Sequence, residues 1–372
     1  MQSLPLHDHA SCEFFLTTFC NLNCTYCIAR DLPKLRMSHS IGLKALDLFI
    51  ELSEGVSSVE LIFTGGEPLL EFSTLSLLIS QATRLLQKKG IQVNFVIKTN
   101  GTILSDKIIT FFKKYNIKVV VSIDGTSLVH DNQRITNSGK GTHSIVSQNL
   151  LELLKHKINT IASITVHPNF VSTLEESVNY LNYLGIHEID IGPAYGTVSW
   201  SKTSINKFIK SLQDVASYVY TEEIKGNYLN VGPFYRESEH VNGILANHWG
   251  CHAGVSHLAF LPNGHISGCS ALAMLTPQFN SLIIGDIING LDQQLVDGLI
   301  ELSQADLSSR KVCQKCNTSS NCTGGCLAIN YSSTGYPFSP PQIYCKTIAA
   351  ISKCCEISCG NISSFKSKSL QL

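Results

Sequence analysis

The sequence predicts an α/β fold: a six-stranded parallel sheet, doubly wound or curled into an incomplete barrel, followed by a cysteine-rich segment. Three observations predict it. Strand-like and helix-like stretches alternate from Phe14 to roughly Gly226, and sequential βα units force parallel strands with right-handed crossovers. Past Asn227 the alternation breaks down into short stretches rich in Gly, Asn, Ser and Cys. Such a region buries too little apolar surface to order itself, which points to bound metal. The cysteines are also uneven: Cys12, Cys20, Cys24 and Cys27 lie near the N-terminus, ten more lie from Cys251 to Cys359, and none lies between the two groups.

Residues 14–19 read as the first strand. After a cysteine loop, Ile41, Leu43, Leu46, Phe49 and Ile50 recur with helical spacing until Gly55 stops them. Residues 59–63 form the second strand, residues 75–86 a helix closed by Gly90, and Val93, Phe95 and Ile97 alternate as the third strand. A helix near 106–114 leads to strand 119–123, and a helix near 144–154 leads to strand 160–166. Then 174–184 leads to strand 188–191, and 205–224 supplies the last long helix. Ligands of such sheets sit at the carboxyl ends of the strands. The predicted organisation is a core over 1–226, a bridging region over 227–250 and a cysteine-rich domain over 251–372.

The chain has 372 residues, 28 of them basic and 28 acidic, for a net charge of zero. With no basic stretch it lacks the electrostatic footprint of a partner for nucleic acid or an anionic membrane. No apolar run approaches the roughly 18 residues that cross a bilayer, and the polar N-terminus is not a signal peptide. The reading is cytoplasmic, and in that compartment clustered cysteines usually mean metal.

Cys20, Cys24 and Cys27 form CxxxCxxC directly after the first strand, with Tyr26 before the last cysteine. Three thiolates on one loop can hold three irons of a [4Fe-4S] cluster and leave the fourth open, whereas a structural zinc wants four protein donors. Cys12, ahead of the triplet, is a conceivable fourth ligand. The triplet resembles the signature of the radical S-adenosylmethionine superfamily, CxxxCx(aromatic)C after the first strand of a six-unit partial barrel, position for position. The resemblance implies a partial (β/α)6 TIM-like barrel. It also implies an open iron chelated by S-adenosylmethionine, reductive cleavage of that cofactor to a 5′-deoxyadenosyl radical, and hydrogen abstraction from a substrate. The electron would come from a donor such as flavodoxin or ferredoxin.

Further motifs stand at the ends of the next strands. Thr64, Gly65, Gly66, Glu67 and Pro68 match the family's GGEP motif; glycines let backbone approach a ligand, and Glu67 can accept a hydrogen bond from a ligand ammonium. The third strand ends in Thr99, Asn100, Gly101, and the fourth in Ser122, Ile123, Asp124, Gly125, followed by His130, Asp131 and Arg134. By resemblance, Thr99 belongs to the cofactor site, Ser122 contacts the cofactor's ribose or methionyl part, Asp124 supports the strand end, and Arg134 meets a carboxylate.

Near the C-terminus, Cys251, Gly264 and Cys269 precede Cys313, Cys316, Cys322 and Cys326, spaced CxxCx5CxxxC, and then Cys345. Taken alone this could be a zinc ribbon. The whole spacing is similar to the SPASM domain, which holds auxiliary iron–sulfur clusters. By that resemblance Cys313, Cys316, Cys322 and Cys345 hold the second auxiliary cluster, and Cys251, Cys269 and Cys326 the first, giving three [4Fe-4S] clusters in all. His257 stands where relatives have a further cysteine, and is a candidate fourth ligand of the first auxiliary cluster; the alternative is an open iron. Cys354, Cys355 and Cys359 fall on an expected terminal helix, 348–357, and read as packing or spare thiols.

Radical SAM/SPASM enzymes mostly modify ribosomally made peptides or proteins. The leading expectation is therefore a peptide maturase that crosslinks side chains of a precursor peptide through thioether, carbon–carbon or cyclophane bonds. No room is expected ahead of Cys20 for a separate leader-binding domain. The alternative is an anaerobic sulfatase-maturating enzyme that generates formylglycine. Those relatives carry an aspartate after the second SPASM cysteine, where this chain has Ser270, which cannot serve as a carboxylate base. His240, His252, His257, Glu237 and Glu239 could supply a base instead. A nucleic-acid-binding zinc protein leaves the triplet and GGEP unused, and a non-catalytic redox carrier leaves the strand-end motifs unexplained.

Overall fold

The computed structural model describes residues 8–232, 234, 251–319, 322 and 324–354. The chain forms two compact units. One comprises Met1–Ser122, Gln133–Thr160 and Gly250–Gln304; the other comprises Ile123–Asn132, Ile161–Trp249 and Ala305–Leu372. The strands in chain order are β1 (His9–Thr17), β2 (Ser58–Gly65), β3 (Gln92–Thr99), β4 (Lys118–Ser122), β5 (Thr160–Val166), β6 (Glu188–Pro193), β7 (Asn230–Gly232), β8 (His257–Phe260), β9 (His265–Ser267), β10 (Ile283–Asp286) and β11 (Gly290–Leu291).

In the first unit the strand order is β11-β10-β9-β8-β1-β2-β3-β4. β1 to β4 are parallel neighbours, as the alternation of strands and helices requires. β8 joins the other side of β1, also parallel, with Ser11 opposite His257. Beyond it β9, β10 and β11 continue antiparallel. In the second unit β5, β6 and β7 lie side by side and parallel. Each unit's sheet is open, not closed.

The helices that follow β1 to β3 are built as their sequences dictate. Helix α1 (His39–Leu52) starts at Ser38, whose side chain accepts the Ile41 N–H, and buries Gly42, Ala45, Leu46, Phe49 and Ile50 along one stripe. Helix α2 (Phe72–Lys89) buries Leu75, Leu78, Ile79, Ala82 and Leu86 in the same manner. Helix α3 (Asp106–Lys114) is capped by Ser105, which accepts the Ile108 N–H. On β1, Ala10, Cys12, Phe14 and Leu16 share one face and are all fully buried. Phe14 there stacks between Phe63 at 5.5 Å and Phe260 at 5.4 Å. Alternation sends Ser11, Glu13 and Phe15 to the opposite face.

The first strand begins at His9 rather than Phe14, because Ser58 to Gly65 pair with it along its whole length. Cys12 is thereby a fully buried apolar-face residue with its thiol pushed well up by burial, a packing role. Cys354 is buried in a helical stretch over 342–354. Cys355, Cys359, Glu237, Glu239 and His240 lie outside the described residues. Among those residues no helix is long and apolar enough to cross a membrane.

Candidate active site

Because β1 to β4 are parallel neighbours, their carboxyl ends share one edge of the first unit's sheet. Cys20 lies just beyond β1. Gly65 closes β2 with Gly66, Glu67 and Pro68 following, Thr99 closes β3, and the half-buried Ser122 closes β4. The GGEP turn is tied to the approach to the triplet: the Gly66 N–H donates to the Thr17 carbonyl at 2.7 Å, and the Glu67 N–H to the Phe19 carbonyl at 2.9 Å. A Cβ on Gly66 would collide with the Phe19 carbonyl oxygen, and one on Gly65, at φ +140, with that of Thr17. The glycines are thus required by close approach of two chain segments, rather than by approach to a ligand alone.

Cys20, Cys24 and Cys27 are half-buried. The Cys27 N–H donates to the Cys24 carbonyl at 3.2 Å, and the Leu22 N–H reaches the Cys20 Sγ at 3.4 Å. Burial raises the pKa of the Cys20 thiol, and Glu67 and Cys27 nearby add to the rise. Tyr26 is buried beneath the Arg134 guanidinium, 5.4 Å from the ring centre. The Thr142 hydroxyl donates to the Arg134 carbonyl at 2.7 Å. Arg134, which the resemblance assigns to a carboxylate, carries its guanidinium over the face of Tyr26.

Glu67 is fully buried. Its Oε1 accepts the Leu69 N–H at 3.0 Å and the Thr99 hydroxyl at 2.8 Å, and its Oε2 accepts the Asn100 N–H at 2.7 Å. Burial pushes its pKa up to about 7, against these three hydrogen bonds, which lower it. A carboxylate has about four acceptor positions, so one is left. No cation among the described residues faces it. The remaining acceptor position suits a ligand ammonium in charge and hydrogen bonding, and three thiols on one loop suit a cluster with one open iron.

In the second unit, Asp124 is buried, its Oδ1 accepting the Thr165 N–H at 3.0 Å, and its own N–H points at His130 Nδ1 at 3.4 Å. The same unit holds Cys313, Cys316, Cys322 and Cys345. Burial pushes the Cys345 thiol up to about 11, and the neighbouring thiols of Cys322, Cys313 and Cys316 add to it. Cys326, at the head of the helix Leu327–Thr334, has its pKa raised by burial. In the first unit, Cys251, Cys269, His252, His257 and Ser11 line one cavity of about 460 Å³. Among the described residues no group of three or more His, Cys, Asp or Glu side chains is gathered tightly enough for a single metal ion; thiolates around a four-iron cluster stand farther apart than those around one ion.

Sequence reasoning missed Glu13. On the polar face of β1, its carboxylate is buried among Lys98 Nζ at 2.7 Å, His257 Nε2 at 3.2 Å and the Ser270 N–H at 2.6 Å. Burial alone would raise its pKa, but Lys98 and His257 hold it well below the usual carboxylate range. His257 Nδ1 lies 2.5 Å from the Ser11 hydroxyl. In a neutral imidazole Nε2–H then donates to Glu13 and Nδ1 accepts from Ser11. Both ring nitrogens thus have partners, and binding iron would require breaking one contact. The available signal was a lone acid inside the apolar run from Cys12 to Leu16.

Residues 14–181 match the family described as the Radical SAM superfamily. A serine-type anaerobic sulfatase-maturating enzyme of Bacteroides thetaiotaomicron is 26% identical over 357 residues, covering 85% of this chain and 81% of that protein. The radical SAM cyclopropyl synthase TigE of Paramaledivibacter caminithermalis is 21% identical over 339 residues, covering 85% and 67%. Among solved structures, native anSMEcpe with bound AdoMet and Kp18Cys peptide superposes with a TM-score of 0.80 at 18% identity, covering 96% of this chain and 99% of that one. Streptococcus suis SuiB bound to S-adenosylmethionine gives 0.65 at 15% identity, covering 90% and 77%. These likenesses in structure establish the fold, and the family implies S-adenosylmethionine and a [4Fe-4S] cluster. With CxxxCxxC and GGEP meeting at one edge of a parallel sheet, residues 14–181 are a radical SAM domain, and the chain is an enzyme.

Proposed function

We propose that this enzyme is a radical SAM/SPASM maturase that crosslinks side chains of a ribosomally made peptide. The observation that carries the cofactor half of this reading is Glu67, buried, ionisable near neutrality and faced by no cation among the described residues. Cys20, Cys24 and Cys27 hold three irons of the catalytic cluster. When bound, S-adenosylmethionine and that cluster supply a 5′-deoxyadenosyl radical that takes a hydrogen atom from the substrate. Glu67 orients the methionyl ammonium, with Thr99 and the Asn100 N–H fixing its carboxylate. Gly65, Gly66 and Pro68 shape the turn that presents it. Ser122 serves the ribose or methionyl part, Asp124 supports that strand end, and Tyr26 with Arg134 walls the cysteine loop.

Cys313, Cys316, Cys322 and Cys345 hold one auxiliary cluster of the SPASM domain, supported by the mutual effect of their thiols on Cys345. Cys251, Cys269 and Cys326 hold the other, supported for the first two by their shared cavity. Forming one crosslink removes two hydrogens, one as an atom and one as a proton with an electron left over, and an auxiliary cluster held by these cysteines would supply the acceptor for that electron. A peptide substrate is supported by relatives named for acting on sulfatases and by solved neighbours described with a Kp18Cys peptide and with precursor peptide SuiA.

The sulfatase-maturing alternative keeps one specific support besides those names. The Glu13 carboxylate stands against the Ser270 N–H, so a carboxylate is present beside that position although the residue itself is Ser. The test is anaerobic co-expression with a small peptide encoded beside the gene, and separately with a Ser- or Cys-bearing sulfatase peptide. Loss of two hydrogens per event, with no aldehyde captured by a hydroxylamine label, supports crosslinking. Aldehyde formation on the sulfatase peptide alone overturns it.

A further inference from the structure

The side chain of Asn100 touches the Cys20 sulfur, and nothing in the GGEP or cysteine motifs assigns it a task. Its amide orientation follows from one contact. The Thr102 backbone N–H, which can only donate, lies 3.0 Å from the atom assigned Oδ1, so that atom must be the carbonyl oxygen and the other must be the NH2 group. The rest is then determined. Asn100 Nδ2 donates to Asn21 Oδ1 at 2.9 Å, Asn21 Nδ2 donates to the Thr102 hydroxyl at 2.8 Å, and that hydroxyl donates to Asn100 Oδ1 at 2.6 Å. The three side chains close a ring of three hydrogen bonds, each side chain donating once and accepting once.

This leaves the second Nδ2 hydrogen of Asn100, and Cys20 Sγ stands 3.7 Å from that nitrogen, within range for the large sulfur acceptor. The Asn100 backbone N–H meanwhile holds Glu67 Oε2 at 2.7 Å. One residue, itself buried, therefore grips a cluster thiolate with its side chain and the ammonium-orienting carboxylate with its backbone.

We infer that Asn100 is a positioning residue that tunes the reduction potential of the catalytic cluster through an N–H···S hydrogen bond to Cys20, held in aim by the Thr102 backbone N–H on its Oδ1 and by Asn21. The inference rests on Cys20 carrying iron as proposed above. A donor to a cluster sulfur stabilises the reduced, more negative state, so it raises the potential. The cost is a weaker reductant, and the gain is a cluster that is reduced within reach of a biological donor.

The experiment is redox titration of the catalytic-cluster signal in the anaerobically reconstituted full chain, with iron content and the response of that signal to S-adenosylmethionine measured alongside. Asn100→Asp and the neutral Asn100→Leu both lose the donor and should shift the midpoint to more negative values, Asp further than Leu. Thr102→Val opens the ring but keeps the Thr102 N–H on Asn100 Oδ1, so its midpoint should stay at the wild-type value. An unchanged midpoint in both Asn100 variants, or an equal shift in Thr102→Val, overturns the inference. Pulsed paramagnetic resonance of the wild-type enzyme carrying side-chain 15N-asparagine needs no variant. Coupling of an amide nitrogen to the reduced catalytic cluster is expected, and its absence refutes the bond. Failure of the proposed function reads differently: the wild-type chain itself would then show no signal responsive to S-adenosylmethionine.

Discussion

Glu67 lends itself to a quantitative test, because the buried carboxylate must ionise before it can pair with an ammonium. Burial raises its pKa from 4.5 to about 7 in the ligand-free protein. Below that value a proton has to leave on binding, so cofactor affinity falls by roughly tenfold per pH unit; between pH 8 and pH 6 the loss is about tenfold, or about 1.4 kcal/mol. Linkage has the same origin in folding: an ionised Glu67 is penalised only in the folded chain, so ligand-free stability declines as pH rises from the unfolded carboxylate range toward 7. Bound ammonium relieves that penalty. Glu67→Gln keeps one carbonyl oxygen for Leu69 and Thr99 but turns an NH2 toward the Asn100 N–H. The charge-assisted contact to the ligand is lost, about 1.5 to 3 kcal/mol, or roughly tenfold to a hundredfold in affinity at pH 8. Anaerobic equilibrium binding of S-adenosylmethionine from pH 5.5 to 8.5 should therefore give a sloping wild-type curve, a flat variant curve, and convergence at the acid end. Parallel curves would refute the assignment of Glu67 to the ammonium.

Three other outcomes follow from the same geometry. Replacing Cys20, Cys24 and Cys27 together by Ala should abolish 5′-deoxyadenosine formation under dithionite while leaving iron bound elsewhere; persistent cleavage in chromatographic assays would move the catalytic cluster off this loop. Gly66→Ala should prevent assembly of that cluster, read as lost iron and lost paramagnetic signal, since its Cβ has no room against the Phe19 carbonyl. Glu13→Gln should lower stability by about 1 to 3 kcal/mol near neutral pH, a figure reduced because Lys98 is 44% exposed. Because the Glu13 pKa is depressed, its contribution is full above the unfolded carboxylate range and is lost progressively as pH falls from there through the lowered folded value. Melting of wild type and variant should thus differ at pH 7, with the gap beginning to narrow only as pH falls below the usual carboxylate range.

The sequence by itself determined the parallel α/β plan, the strands that carry the motifs, and the family. Those properties are local: apolar periodicity of two or 3.6, glycine stops, and cysteine spacings that need no knowledge of distant partners. The structure moved the first strand's start back to His9, since pairing with Ser58 to Gly65 outlasts the apolar run. Only tertiary structure added β8 to the edge of β1, because a four-residue strand bounded by turns carries too short an alternation to be read. That one pairing brings His257 opposite Ser11 and beside Glu13, three residues whose types suggested nothing together. It likewise took the folded chain to reveal why Gly65 and Gly66 are glycines and that Asn100 aims at Cys20. Each of these depends on which side chains face one another across strands, and that is set by register and packing between segments far apart in the chain.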